Sequence, residues 1–233
     1  MTVIKGKFVG PIRDKIMQDF DYQFWSPEEM TSDNASCARR IARGGWAEER
    51  LGNRGCDFPI GPRNTWSNAA YVGAAGAILT QDHSAPAIVM AGSLTILGVG
   101  SALYHGYKTL WANKLDHVGM YLTFGSLAVH GYGQYQYTAA AMLITGILLA
   151  VLFTYTGIRV SLDVQMGVLL WFSLLPAVLK GNHWMAAAAF GWYIAAFIVW
   201  QLDKKDQPIT GKWGHALWHK MTAVALCLTY LAQ

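Results

Sequence analysis

Between Asp116 and Arg159 the chain runs through 42 residues, 117–158, without one formally charged side chain. Two helices of about 20 residues fit in that stretch, the length that crosses the roughly 30 Å hydrocarbon core of a bilayer. The run is interrupted at His130-Gly-Tyr-Gly-Gln-Tyr-Gln, where glycines and glutamines mark a loop. Composition agrees: 53% of the 233 residues are hydrophobic and 14% are charged, against roughly 25% charged in an ordinary soluble domain. Apolar stretches such as Ala139 to Thr156 lack the polar face that a soluble helix presents to water. The sequence therefore reads as an all-α membrane protein.

Reading outward from that hairpin gives a seven-transmembrane helix bundle, with spans at about 66–81, 86–107, 115–132, 137–157, 162–179, 184–202 and 213–231. The first, Asn68-Ala-Ala-Tyr-Val-Gly-Ala-Ala-Gly-Ala-Ile-Leu, is rich in small residues, which predicts close approach by a neighbour and a place inside the bundle. The chain divides into an N-terminal cytoplasmic or interfacial segment, 1–65, and the seven-helix domain, 66–233. In the leading segment Ile12, Ile16 and Phe20 recur every four residues among charges, which suits a short helix on the membrane surface. Ser26-Pro27-Glu28-Glu29 reads as a helix start, ended at Gly44-Gly45, and glycine, proline and asparagine then mark a loop over 52–62.

Ten of the 18 lysines and arginines lie in residues 1–65, and Lys108, Lys114, Arg159, Lys204, Lys205 and Lys212 lie in the second, fourth and sixth loops. All share one side, so the positive-inside rule puts the N-terminus in the cytoplasm and the C-terminus on the opposite face. The net charge of +4 calls for no nucleic-acid partner, because juxtamembrane basic residues suit anionic lipid. Cys37, Cys56 and Cys227 make no disulfide framework. Lys5, Lys7, Arg13, Asp14 and Lys15 interrupt any signal-peptide core, so the first span is expected to act as the targeting signal.

The candidate chemistry sits at span ends. His215 and His219, four residues apart, stand on one face of a helix about a turn from each other, where two imidazoles can grip one metal ion. Ser101 and His105 repeat the spacing. The second span ends on the cytoplasmic side and the third and seventh begin there, so His105, Asp116, His215 and His219 are expected at similar depth. An aspartate at a helix centre in a membrane costs about 2.5 to 3.5 kcal/mol, so such groups face inward with partners. Three neutral histidines and one exchangeable water make the open coordination of catalytic zinc. Asp116 would take that water's proton as general base, and Ser101 would aim its hydroxyl at a developing oxyanion. A plainer reading makes Asp116 a helix cap or a partner of a ligand, and Ser101 a hydroxyl bonded to its own helix. His83, His130 and His183 fall on the opposite side and read as interfacial polar groups, while Lys220 is expected to snorkel to the surface.

Ser101-Ala-Leu-Tyr-His105, Asp116 and His215-Ala-Leu-Trp-His219 resemble the serine, histidine, aspartate and HxxxH signature of seven-span hydrolases, which include alkaline ceramidases, GPI-anchor remodelling proteins and the adiponectin and progestin receptors. The alkaline ceramidase branch is the most similar, because Cys56-Asp57 and Pro62-Arg63-Asn64-Thr65-Trp66-Ser67-Asn68 look like its entry segment. The resemblance covers about residues 55–220 and implies a zinc amidase that cleaves ceramide or a related N-acyl lipid into a fatty acid and an amine. One departure bears on cofactors. Alkaline ceramidases hold calcium with acids in the entry segment, whereas Gly61 stands where an acid is expected and the loop offers mainly Asp57, which argues against calcium. The rival readings are a metal-stabilised receptor or sensor and a noncatalytic subunit of a membrane assembly. The sequence names a lipid substrate class and no protein partner.

Overall fold

A computed structural model describes residues 58–133, 162–204 and 210–233. Among the described residues the chain is all helical, with no strand. The helices are α1 (Pro62–Ser67), α2 (Ala69–Gln81), α3 (Ala85–Tyr107), α4 (Leu110–Gly131), α5 (Leu162–Leu179), α6 (His183–Lys204) and α7 (Gly214–Leu231), the last preceded by a 3-10 turn at Gly211–Trp213. The expected fourth span, the helices read at 12–20 and from Ser26, and Cys37, Cys56 and Asp57 lie outside the described residues.

Each boundary has a local cause. Ser84 caps α3 by accepting from the Ala87 amide, with proline in the first turn. At its other end α3 stops where Lys108 takes φ +52, the left-handed conformation, and its amide bonds the Tyr104 carbonyl at 2.8 Å. Lys108 is the one non-glycine at positive φ among the described residues. The last carbonyls of α3 are met from outside: Ile60 N–H donates to Gly106 O at 3.1 Å and Gly61 N–H to His105 O at 3.2 Å. The segment leading into α1 is thereby clamped to the end of α3, satisfying acceptors that a helix C-terminus leaves open.

Close helix approach runs through glycines. A Cβ on Gly100 would lie 2.8 Å from the Asp116 amide nitrogen, and one on Gly119 would run into the Leu97 backbone, so α3 and α4 pack nearly backbone to backbone. Ser93 and Ser126 bridge the same pair at 2.8 Å. Helix α2 packs on α3, α7 packs on α2 and α6 lies along α7, and α5 bridges α4 and α6. Tyr71, Ile78, Met90, Leu94, Leu127 and Leu226 lie in the shared apolar core.

Helices α3 and α6 are each long and apolar enough to cross a membrane. On α6, Phe190, Ile194, Phe197 and Ile198 are exposed. The first expected span departs from the reading. Asn68 breaks it into α1 and α2, and the 13 residues of α2 reach about 20 Å at 1.5 Å per residue. Only one face of α2 turns inward, through Tyr71, Ala74, Ala75 and Ile78, while Gly73 and Gly76 have nothing within 4 Å of a built Cβ. The close contact there is made by Gly98 of α3, whose built Cβ would be 3.0 Å from the Asn68 carbonyl oxygen.

Candidate metal centre

Three helices deliver the candidate residues to one end of the bundle. His105 comes from the last turn of α3, Asp116 from the second turn of α4, and His215 and His219 from the first turns of α7. The three histidines are at most 3% exposed. His105 Nε2 and His215 Nε2 are 3.0 Å apart, and one ligand atom from each of the three rings lies within 4.8 Å of the others. Ring centroids are separated by 4.4 Å for His215 and His219, 4.6 Å for His105 and His215, and 5.0 Å for His105 and His219. Three buried imidazoles with convergent nitrogens are close enough to hold a metal ion. Imidazole is a common ligand of several divalent transition metals, so the donor set alone does not name the ion.

Ser101 and Asp116 meet beside this cluster, with the Ser101 side chain close enough to the Asp116 carboxylate to act on it. Gly100 is the reason they can meet, since it lets the Asp116 backbone approach α3 one residue from Ser101.

Several neighbours of the cluster were given no contact with the histidines by sequence reasoning. Lys108, read as a loop charge, is 2% exposed. Its ammonium is 3.5 Å from His105 Nδ1, 4.1 Å from the centre of the Tyr104 ring, and close enough to Asp116 to act on it through space. Ser67 Oγ lies 2.7 Å from His219 Nδ1. Asp203, 1% exposed near the end of α6, packs where α7 begins, so that a Cβ on Gly214 would be 2.5 Å from its Oδ1. Trp218 stacks on His215 at 5.0 Å, with Trp200 stacked behind it at 6.1 Å. A sequence signal existed for Asp203, an acid at the end of an apolar helix, and for Ser67 in its asparagine-flanked motif. None existed for Lys108, whose backbone takes the left-handed turn that ends α3.

His130, by contrast, lies flat against Tyr230 at 4.2 Å at the other end of the bundle, and His83 and His183 are exposed. Lys220 is exposed beside the buried His219. Trp213 is half exposed under the Arg63 guanidinium at 4.6 Å. The chain matches no protein-family model and no curated protein sequence.

Proposed function

We propose that this chain is a zinc-dependent intramembrane hydrolase that cleaves the amide bond of ceramide or a related N-acyl lipid. The observation that carries the reading is the convergence of His105, His215 and His219 beside the Ser101 and Asp116 pair, at one end of a helix bundle with an apolar core. The same five residues are similar to the signature of the seven-span hydrolases, to which the proposal assigns the chain. It carries with it a seven-helix membrane domain with a cytoplasmic N-terminus and an exterior C-terminus, supported by two helices of spanning length and by the distribution of lysine and arginine.

His105, His215 and His219 would hold the metal as neutral ligands. Zinc so bound supplies Lewis acidity and lowers the pKa of water toward about 7. Asp116 accepts a proton from the attacking water and returns it to the departing amine nitrogen, while the carbonyl carbon gains the water oxygen and its bond to nitrogen breaks. The products are a fatty acid and a free amine. Ser101 orients the carboxylate in the resting site and donates to the carbonyl oxygen as negative charge develops there. The Lys108 ammonium adds positive charge beside a site in which the reaction generates an oxyanion and then a carboxylate. The apolar surround excludes water and strengthens each of these interactions.

The test is metal analysis of the purified protein together with hydrolysis assays on N-acyl and ester lipids in detergent or vesicles. About one zinc per chain and amide cleavage that disappears in a folded His219→Ala variant are expected. A folded wild-type protein that binds no metal overturns the reading, and so does amide cleavage that survives loss of His219. Ester cleavage without amide cleavage overturns the amide assignment and leaves a metal-dependent lipase.

A further inference from the structure

We infer that Ser67 is a positioning residue for the metal centre: its hydroxyl fixes the tautomer and ring orientation of His219, so that Nε2 presents a lone pair to the other two histidines. The inference rests on the metal reading and extends it to a residue on a different helix.

The geometry is a three-member relay. Ser67 Oγ is 2.9 Å from the Asn64 carbonyl oxygen, three residues back in α1, and 2.7 Å from His219 Nδ1 on α7. A serine hydroxyl has one proton to donate and lone pairs with which to accept. With that proton on the Asn64 carbonyl, the contact to His219 is made only by Nδ1–H donating to Oγ. A neutral imidazole protonated at Nδ1 has its lone pair at Nε2. The opposite arrangement, with the Ser67 proton given to Nδ1, would put a proton on Nε2 and aim it into a cluster where His105 Nε2 and His215 Nε2 are already 3.0 Å apart.

The surroundings hold the relay in place. Asn64 is fully buried, and the break at Asn68 lets side chains reach the Asn64 carbonyl, which also accepts from Asn68 Nδ2 at 2.7 Å. Ser67 is 6% exposed, so water competes little for its hydroxyl. Helix α1 is pinned to the His105 end of α3 through Ile60 and Gly61, which fixes Ser67 relative to two of the three ligands at once. The Tyr71 ring meets His219 edge-on at 6.0 Å, and its hydroxyl is 2.7 Å from Thr222, which limits rotation of the imidazole from the other side. Partners of this kind on the nitrogen away from the metal orient a histidine ligand, and their loss costs about 10 to 100-fold in metal affinity.

The experiment measures zinc affinity by chelator competition for the wild type, Ser67→Ala and Ser67→Thr in the full chain, with thermal melting as a control for folding. Affinity about 10 to 100-fold weaker in Ser67→Ala and restored to within a few-fold in Ser67→Thr is expected, because threonine keeps the hydroxyl. Wild-type affinity in folded Ser67→Ala overturns the inference. Nitrogen NMR of 15N-histidine-labelled wild-type protein gives a second readout that needs no serine variant: His219 protonated at Nδ1 supports the relay and protonation at Nε2 alone overturns it. This readout also separates the two readings, since a wild type that binds no zinc defeats the metal proposal while the His219 tautomer still decides the role of Ser67.

Discussion

At one end of the bundle three histidines turn their nitrogens toward one another; at the other, His130 stacks flat on Tyr230, whose hydroxyl donates to Asp82 at 2.5 Å. Both ends hold histidine, aspartate, serine and lysine. At the far end each polar group has a separate local use. Asp82 accepts from the Ser84 amide at 2.8 Å and hydroxyl at 2.9 Å, in a turn that starts α3, and Lys180 donates to the Gln233 carbonyl at 2.8 Å. At the near end polar groups from four helices gather, and three buried histidines among them share one centre. Polar residues at helix ends become a chemical site when packing aims several of them at a common point. Glycines at 100, 106 and 214 allow that convergence by admitting Asp116, Phe58 and Asp203.

The comparison breaks most sharply on the histidines. His215→Ala or His219→Ala is expected to abolish stoichiometric metal binding and lipid hydrolysis, whereas His130→Ala leaves metal content unchanged; elemental analysis of folded protein reads both. Asp116→Asn keeps the isosteric shape and removes the carboxylate proposed as the base, so turnover should fall by about 10²–10⁴ with metal retained. Steady-state assays beside metal content separate that variant from the histidine replacements. Gly100→Ala forces a methyl against the Asp116 backbone, and overpacking of this kind costs about 1–3 kcal/mol. A lower melting temperature and weaker turnover in the same variant would tie the α3 and α4 approach to the site.

The smallest effect belongs to the far end. The Tyr230 hydroxyl, helped by Ser84, holds the Asp82 carboxyl below its ordinary value. A depressed folded-state pKa means that this contribution to stability is fully present above the unfolded value of about 4 and is lost as pH falls through the folded value. The melting-temperature difference between wild type and Asp82→Asn should therefore be constant from neutral pH to about 5 and shrink in more acid solution, with metal content at neutral pH the same in both. A pH series of melting curves checks it.

Much of the fold was legible in the chain. The ends of α3, α5, α6 and α7 fall within two residues of spans read from apolar runs and their charged or glycine-containing boundaries. The three converging histidines were legible because polar groups stand out in an apolar sequence and helical periodicity fixes which of them share a face. The break at Asn68 was not, since Asn64, Ser67 and Asn68 make a helix end through side-chain bonds to one carbonyl that no periodicity announces. The small-residue pattern of α2 also misled: Gly73 and Gly76 face outward, while the close contact is made through Gly98.

By itself the sequence determined that helices form, roughly where they begin and end, and that His105, His215 and His219 lie toward one end of them, because hydrophobicity and the 3.6-residue turn are local properties. Only the tertiary structure decided that Ser67 stands behind His219, that Lys108 is buried against His105 and Tyr104, and that Asp203 packs where the histidine-bearing helix begins. Those contacts join residues from 3 to 152 positions apart, and they depend on how closely backbones approach, which glycine placement permits and the packing of whole helices fixes.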